Sequence, residues 1–530
     1  MHTSTLLTCA LLTCSGMRAA YGQSYILDPT FGTAGKTTIV FPTAANTDVV
    51  TSLALLPGSK LLVAGENNKM FGLAQLTATG QPDLTFGTGG TTTTSFTSNS
   101  PSFTVSSAQA TAPLLQPDGN ILVGGQLATM LTSPSTTGPA KKACARFQPS
   151  GALDNSFGTS GRLLNDANTG SLNTYVNALA LQADGKFFSI NYRLNVGGNI
   201  ELTTIERISA AGTYDNSFVH NYPVTGNETS NTTSGSRKIA YTALVDNAGR
   251  LLTAGEHLVS NQNYVGPNGA AIVRYLGTGQ PDPGFGTNGI TILNASAGGQ
   301  RIAWRKMLLQ SDNKIVVAGL DRNDSIAIAR FTADGVLDTS FGKKGLLKAA
   351  TGSTTNAVLG LDVLATGEVL AGLRTATNDC RIFRFSATAP TFTTSTIALP
   401  GFSPVAMALQ PNGRVVIAGT QTDGSGNKSF GVAGLVYSPT LSSRAPLTGS
   451  LTLYPNPAAQ TLTLHFPELS ETQLLKLQVF DLLGREVLTL PAVRAGGEVR
   501  IPLQTVRPGS YTLRIEGPDF IFTRHFVRAE

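Results

Sequence analysis

Little in this chain is charged, and less of it is sulfur-bearing or strongly aromatic. Asp, Glu, Lys and Arg make up 13% of 530 residues, while His occurs five times, Cys four times and Trp once. So few His and Cys leave no H-E-x-x-H pair and no clustered metal ligands. G-x-S-x-G at an elbow is absent, with no sign of a Ser-His-Asp arrangement. The two histidines of the main array, His220 and His257, read as loop residues rather than bases. Net charge is +6, but no Lys/Arg cluster interleaved with aromatics accompanies it, which argues against a nucleic-acid partner. The pairs Lys141-Lys142 and Lys343-Lys344 read as solvated turns. Asp321-Arg-Asn-Asp324 and Asp423-Gly-Ser-Gly-Asn427 are rich in oxygen but lack the six to eight ligands calcium takes. No catalytic residue, cofactor or metal site is therefore assigned.

What the chain has is repetition. Leu115-Gln-Pro-Asp-Gly-Asn-Ile-Leu-Val-Gly-Gly125 returns with drift at 57–65, 182–190, 246–255, 310–319, 365–372 and 410–419. A period of roughly 47–66 residues marks a toroid or solenoid of like sheets. A second element, D-x-x-F, recurs as Asp28/Phe31, Asp83/Phe86, Asp154/Phe157, Asp215/Phe218, Asp282/Phe285 and Asp338/Phe341. All but the fourth keep a following Gly, and in a seventh copy only Pro390-Thr-Phe392 survives. An Arg-Phe-type segment such as Ala329-Arg-Phe-Thr-Ala-Asp-Gly335 lies upstream of each.

Each unit reads as four short strands. The run Lys314-Ile-Val-Val-Ala-Gly319 is β-branched and lies between turn signals, as a strand buried on both faces does. The Asp-Gly or Asn-Gly pair before it supplies left-handed residues for a two-residue hairpin. The Arg-Phe segment is the next strand, and D-x-x-F-G turns into a Thr-rich strand such as Lys36 to Phe41, with Asp capping the turn and Phe entering the groove between sheets. These corners are structural. Seven in-phase units make a seven-bladed β-propeller, in which the strand near Asp28 joins the last blade. The single Trp304 packs in a blade.

At the N-terminus, Leu6 to Leu12 and the small residues Ala20 and Gly22 read as an export signal over 1–22. Cys14 makes a poor lipoprotein box, and no later run of 18 apolar residues spans a membrane. Removing the leader leaves Cys144 and Cys380, in units 2 and 6, which read as small buried hydrophobes rather than a disulfide.

The propeller is thus placed at 23–437. A Ser/Pro/Thr linker at 438–450 leads to a different module at 451–530. Its strands are Thr461 to Phe466, Leu475 to Asp481, Glu498 to Leu503, Ser510 to Ile515 and Phe520 to Val527. Alternation with turns at Asp481-Leu-Leu-Gly484-Arg485 and Arg507-Pro-Gly509-Ser-Tyr511 reads as a small antiparallel β-sandwich. Tyr454-Pro455-Asn456-Pro457 opens it.

The array resembles the delta-60 repeat family through L-Q-P-D-G-K-I-L-V-A-G and L-D-x-S-F-G-x-x-G. Residues 451–530 resemble the type A sorting domain of the type IX secretion system, through Y-P-N-P (454–457), V-F-D-L-L-G-R-E-V (479–487) and R-P-G-S-Y-T-L-R-I (507–515). That resemblance implies Sec export, recognition by the type IX machinery at the outer membrane, and release or attachment to surface lipopolysaccharide; its final residues, Phe526-Val-Arg-Ala-Glu530, depart from the family's basic ending. The delta-60 family implies no defined activity. Two functions follow: a secreted or surface scaffold binding a protein or glycan through propeller loops, and an extracellular hydrolase or lyase acting on polysaccharide in the channel. Two carboxylates about 5–9 Å apart in the channel distinguish the second.

Overall fold

The computed structural model describes residues 24–42, 47–98, 100–132, 136–164, 172–195, 201–220, 235–261, 264–294, 302–321, 324–352, 357–386, 388–438, 452–465, 474–481, 485–494, 498–516 and 521–530. Residues 1–22, expected to be a leader, most of 438–450, expected to be a linker, and Gly484 lie outside them. The chain is all-β, with one 3₁₀ turn at Pro57–Ser59 and no α-helix among the described residues. Contacts divide it into two compact units, one covering Ser24–Ser438 and one within Pro439–Glu530.

In the first unit, β1 (Ser24–Leu27) and β2 (Lys36–Ile39) precede the first complete sheet. Sheet 1 holds β3 (Val49–Leu55), β4 (Leu61–Asn67), β5 (Met70–Leu76) and β6 (Thr91–Thr94). Sheet 2 holds β7 (Phe103–Leu115), β8 (Ile121–Leu131), β9 (Lys141–Phe147) and β10 (Arg162–Leu164). Sheet 3 has β11 (Leu172–Leu181), β12 (Phe187–Asn195) and β13 (Glu201–Ile208). Sheet 4 has β14 (Gly235–Val245), β15 (Leu251–Asn261), β16 (Tyr264–Tyr275) and β17 (Ile290–Asn294). Sheet 5 has β18 (Ile302–Leu309), β19 (Ile315–Asp321), β20 (Ser325–Phe331) and β21 (Leu346–Ala350). Sheet 6 has β22 (Ala357–Val363), β23 (Val369–Arg374), β24 (Cys380–Phe385) and β25 (Phe392–Ile397). Sheet 7 has β26 (Phe402–Leu409), β27 (Val415–Thr422) and β28 (Lys428–Ser438).

Every pairing within these sheets is antiparallel between sequence neighbours, except in sheet 7. There β1 and β2 both pair with β28, with Ser24 opposite Ser438 and Ile39 opposite Phe430. First strands neighbour one another in a closed cycle: β3 packs on β7, then β11, β14, β18, β22 and β26, and β26 packs back on β3. Each sequence unit counted from its D-x-x-F corner therefore straddles two sheets.

The second strands are among the driest. Leu61 to Val63 and Val415 to Ala418 are fully buried because both their faces meet apolar neighbours. The hairpins differ from the expected two-residue form. In Gln410 to Arg414 a single residue, Gly413, is left-handed (φ 85°), and Gln410 N–H closes the loop on the Arg414 carbonyl at 2.8 Å. Asn412 stays right-handed and caps the Arg414 amide at 3.1 Å; Asp118 and Asp184 cap Asn120 and Lys186 alike. An Asx side chain that bonds forward removes the need for a second left-handed residue. Lys141 and Lys142 also depart from expectation, being buried in β9. Lys141 Nζ lies 5.6 Å from the Phe103 ring centre, and Lys142 pairs with Glu206.

The second unit has two antiparallel sheets around one buried cluster. The first joins β29 (Thr452–Tyr454), β30 (Thr461–His465) and β33 (Glu498–Pro502). The second joins β31 (Leu474–Phe480), β32 (Glu486–Arg494), β34 (Gly509–Glu516) and β35 (Ile521–Arg528). Leu462, Leu464 and Ile501 meet Leu477, Val479, Leu513 and Ile515 between them. Strand β32 escaped the sequence reading because it contains Pro491. It sits at the sheet edge, paired with β31 alone and with two register shifts, where a missing N–H is tolerated.

Candidate functional site

The corners hold the densest chemistry. Each corner Asp caps the amide two residues on, from Asp28 to Thr30 at 2.9 Å to Asp338 to Ser340 at 3.1 Å. Asp83, Asp154, Asp215 and Asp282 do the same for Thr85, Ser156, Ser217 and Gly284. Phe31, Phe86, Phe157, Phe285 and Phe341 are wholly buried, and Phe218 is 7% exposed.

The sequence reading missed the third partner of the corner, an arginine. Arg146, Arg207, Arg274 and Arg330 each donate Nε to the corner Asp eight residues on, at 2.7–2.9 Å. Their guanidinium carbons lie 4.7–5.3 Å from the centres of the corner Phe rings. Arg207 and Arg274 donate onward, each at 2.6 Å, to the Gly277 and Ala333 carbonyls in the next sheet; Arg146 likewise reaches Ala210. Backbone bonds run in parallel, such as Gly87 N–H to the Ser150 carbonyl at 2.7 Å. The constant Arg-to-Asp spacing was the signal available. Burial alone would raise the Asp338 carboxyl, but the Ser340 hydroxyl and amide and the Arg330 guanidinium hold it down at about 2. At Asp215 the Ser217 hydroxyl, outweighing burial, and Arg207 do the same, again to about 2.

Three sheets vary the arrangement. In sheet 1, Gln75 at 2.8 Å and Lys60 at 2.6 Å serve Asp83. In sheet 6 the corner Asp is missing, and the carboxylate comes from the hairpin instead: Glu368 takes Arg384 Nε at 2.8 Å and bonds Nη2 as well. In sheet 7, Arg414 takes the arginine's place from the hairpin, reaching Asp28 at 2.7 Å and the Ala78 carbonyl at 2.9 Å. Gly434 then occupies the strand position that arginine fills elsewhere, because a Cβ there would strike the Phe31 ring.

The first strands share a β-bulge at one level, which the sequence hid because the bulged residues are unlike: Thr51, Thr111, Asn177, Tyr241, Arg305, Leu359 and Val405. Thr51, Thr111 and Asn177 each donate to a backbone carbonyl of the next sheet, those of Ala110, Val176 (2.9 Å) and Ala240 (2.8 Å). Beyond them, Arg305 lies 3.6 Å over the Tyr241 ring and 3.1 Å from Glu256, whose carboxylate also takes the Tyr241 hydroxyl at 3.3 Å. Burial pushes that phenol up to about 12. Asp362 on β22 is pushed up to about 7 by burial, opposed by the Leu409 amide.

Burial lowers His220 to about 4, and its ring packs edge-on to Tyr275 at 5.4 Å. His257 and Trp304 are buried. Cys144 and Cys380 are buried free thiols, and burial pushes Cys144 up to about 12. Asp321 bonds the Ser325 amide and Lys348, and Asp423 bonds its own turn through Asn427. Among the described residues, no group of three or more His, Cys, Asp or Glu is arranged to hold a metal.

In the C-terminal module, Tyr454 is 42% exposed and donates its hydroxyl to Glu498 at 2.5 Å. Asn456, between Pro455 and Pro457, accepts the Val527 amide at 2.9 Å, pinning this segment to β35. Asp481 takes the Arg485 amide and guanidinium across the turn. Gly509 begins β34, where Tyr511 is buried against Phe526 and donates to the Arg507 carbonyl at 2.8 Å. Tyr454, Asn456, Asp481, Arg485 and Tyr511 are thus engaged within the module.

Sheets tied corner to turn define a β-propeller type of repeat, and residues 310–341 match a family model described as "Domain of unknown function (DUF5122) beta-propeller". Residues 452–527 match one described as "Secretion system C-terminal sorting domain". The chain thus carries a propeller repeat of the delta-60 kind and a type IX sorting domain, which directs it to the cell surface or outside and implies interaction with that secretion machinery. No helix among the described residues is long and apolar enough to cross a membrane. No curated protein sequence matches the chain. Solved structures that resemble it include a protein of unknown function from Dyadobacter fermentans, at 10% identity and TM-score 0.40 over 64% of this chain and 98% of that one. Another is the polysaccharide lyase Uly1, at 9% identity and TM-score 0.45 over 81% and 94%. A third, the soluble aldose sugar dehydrogenase of Escherichia coli, has 11% identity and TM-score 0.31 over 64% and 99%. Likenesses this weak carry no argument about this chain.

Proposed function

We propose that residues 24–438 are a seven-bladed β-propeller that serves as a binding scaffold for a protein or glycan at the cell surface. It is exported with a leader at 1–22 and delivered by a detachable β-sandwich at 451–530, joined through 438–450. The match of 452–527 to a sorting domain, on a compact unit of its own, carries the reading. Seven sheets, a cyclic order of first strands and the seam of β1 and β2 on β28 support the blade count. The scaffold role is supported by how the recurring polar residues are used. Corner Asp and Arg hold sheet to sheet, and Thr51, Thr111 and Asn177 join inner strands, so ligand recognition is left to connections that differ between repeats. Release into the medium or attachment to lipopolysaccharide follows sorting.

Deleting 451–530 tests it. A folded propeller should accumulate in the periplasm, and the segment fused to an unrelated exported protein should carry it to the surface of a host with the secretion system. Normal yield of the truncated protein in the medium would make the module an accessory domain instead.

A further inference from the structure

We propose that the crevice between sheets 4 and 5 binds a neutral carboxamide carried on a short aliphatic stem. The hairpin between first and second strands offers one side chain to each crevice, and these are Leu56, Gln116, Gln182, Asp246, Gln310, Leu364 and Gln410. Three of the four glutamines donate their amide to the next sheet; Gln310 does not, and its Oε1 is buried without a hydrogen bond. Gln116 reaches the Gly185 carbonyl at 3.4 Å, Gln182 that of Gly249 at 3.1 Å, and Gln410 those of Ser59 at 2.8 Å and Ala78 at 3.0 Å. Leu56 and Leu364 pack into apolar clusters.

Asp246 takes a different course and bonds within its own hairpin. Its carboxylate folds back on its own turn, accepting the Ala248 and Arg250 amides, each at 2.9 Å, and Arg250 Nε at 2.8 Å. The crevice beside it is a pocket of about 270 Å³, which Asp246 lines together with Arg250, Leu252, Leu309, Asn313, Ile315 and Ala333. At about 30 Å³ per water that space equals roughly nine waters, ample for a glutamine-sized group. Asn247 and Ala248 line it too, and the Asn247 side-chain amide donates across it to Asn313 Oδ1 at 2.7 Å, leaving the backbone carbonyls of the far wall to a ligand.

The walls state the ligand. Asn313 stands where Ser59, Gly185 and Gly249 stand in other hairpins, and Ala333 stands where Ala78 does, so the carbonyl pair that Gln410 uses has its counterpart here; the Ala333 carbonyl already accepts Arg274 at 2.6 Å, as that of Ala78 accepts Arg414 at 2.9 Å beside Gln410. Leu252, Leu309 and Ile315 supply an apolar floor for the stem. Charge selects against an ammonium. Asp246 and Asp282 are balanced by Arg250 and Arg274 through contacts of 2.8–3.2 Å, and moving a cation out of water with no net charge to meet it is unfavourable. The carboxamide comes either as a free small molecule or as a glutamine side chain of a polypeptide.

Methyl NMR of the full chain, following Leu252, Leu309 and Ile315, tests this with butyramide, butylammonium, and the tripeptides Gly-Gln-Gly and Gly-Glu-Gly. Saturable shifts with butyramide, at least tenfold weaker with butylammonium, are expected; saturation by Gly-Gln-Gly alone assigns a polypeptide source. Asp246→Gln recreates the Gln410 and Arg414 pairing and should abolish the shifts while raising Tm. Asp246→Leu, patterned on Leu56 and Leu364, should abolish them with Arg250 still held by Asp282. The proposal is overturned if neither amide probe saturates, if butylammonium or Gly-Glu-Gly binds equally well, or if Asp246→Gln binds as the parent does.

Discussion

Removing one corner ring puts the reading of the corners at risk. Phe341 is fully buried in the cluster that joins Val316 and Ala318 of sheet 5 to Val369 and Ala371 of sheet 6, with Arg330 stacked 4.7 Å from its centre. Phe341→Ala loses the transfer energy of a phenyl group, leaves a cavity between two sheets, and should cost about 3–5 kcal/mol. The stacked guanidinium adds about 0.5–2 kcal/mol, which a double-mutant cycle with Arg330→Gln isolates. Phe392 is the internal control. It is half-buried against Phe383 and Phe385 with ring centres at 6.0 and 5.6 Å, and the arginine of its sheet stacks on Tyr437 instead. Urea unfolding followed by circular dichroism gives both costs. If Phe341→Ala cost under about 1 kcal/mol, or no more than Phe392→Ala, the corner would not be an inter-sheet lock.

Exchanging charges in sheet 6 should show compensation: Glu368→Arg or Arg384→Glu alone should each lose about 1.5–3 kcal/mol in the same assay, and the double exchange should recover more than half. Asp362 gives a pH dependence. Its folded carboxyl titrates near 7 against about 3.9 unfolded, so the native state holds the proton longer and stability falls as pH rises between those values. Asp362→Asn should flatten that slope, measured by Tm from pH 4 to 8, with about 4 kcal/mol as the ceiling. Cys144 and Cys380 should resist a thiol reagent in the native protein and react once it is unfolded, monitored by absorbance.

Much of the array was legible because its strands repeat one hydrophobic pattern and its turns keep Gly and Asp. D-x-x-F announced a capped turn and a buried ring, and both are present at all six copies. The arginine that completes four of the corners lay in a strand whose pattern already accounted for it, so only its fixed distance from the Asp betrayed it. The bulges were invisible for a different reason. A bulge is a backbone event, and Thr51, Tyr241 and Leu359 share no chemistry. Asp246 was hidden in another way: as an Asp in a turn it is unremarkable, and only comparison with Gln410 and Leu364 in space reveals what it leaves unfilled. In the C-terminal module Pro491 broke the alternation at an edge strand, where the physics permits it.

The offset between sequence unit and sheet has a consequence for cooperativity. Apart from the unit that begins at Asp215, where sheet 3 has three strands among the described residues, each unit gives its outer strand to one sheet and three strands to the next, as courses of brick overlap their joints. A unit cannot melt alone, since its loss strips the edge from the sheet before it and the body from the sheet after it. Fraying at any corner is therefore shared between covalently distant repeats, and at β1 and β2 on β28 it is shared between residues some four hundred positions apart.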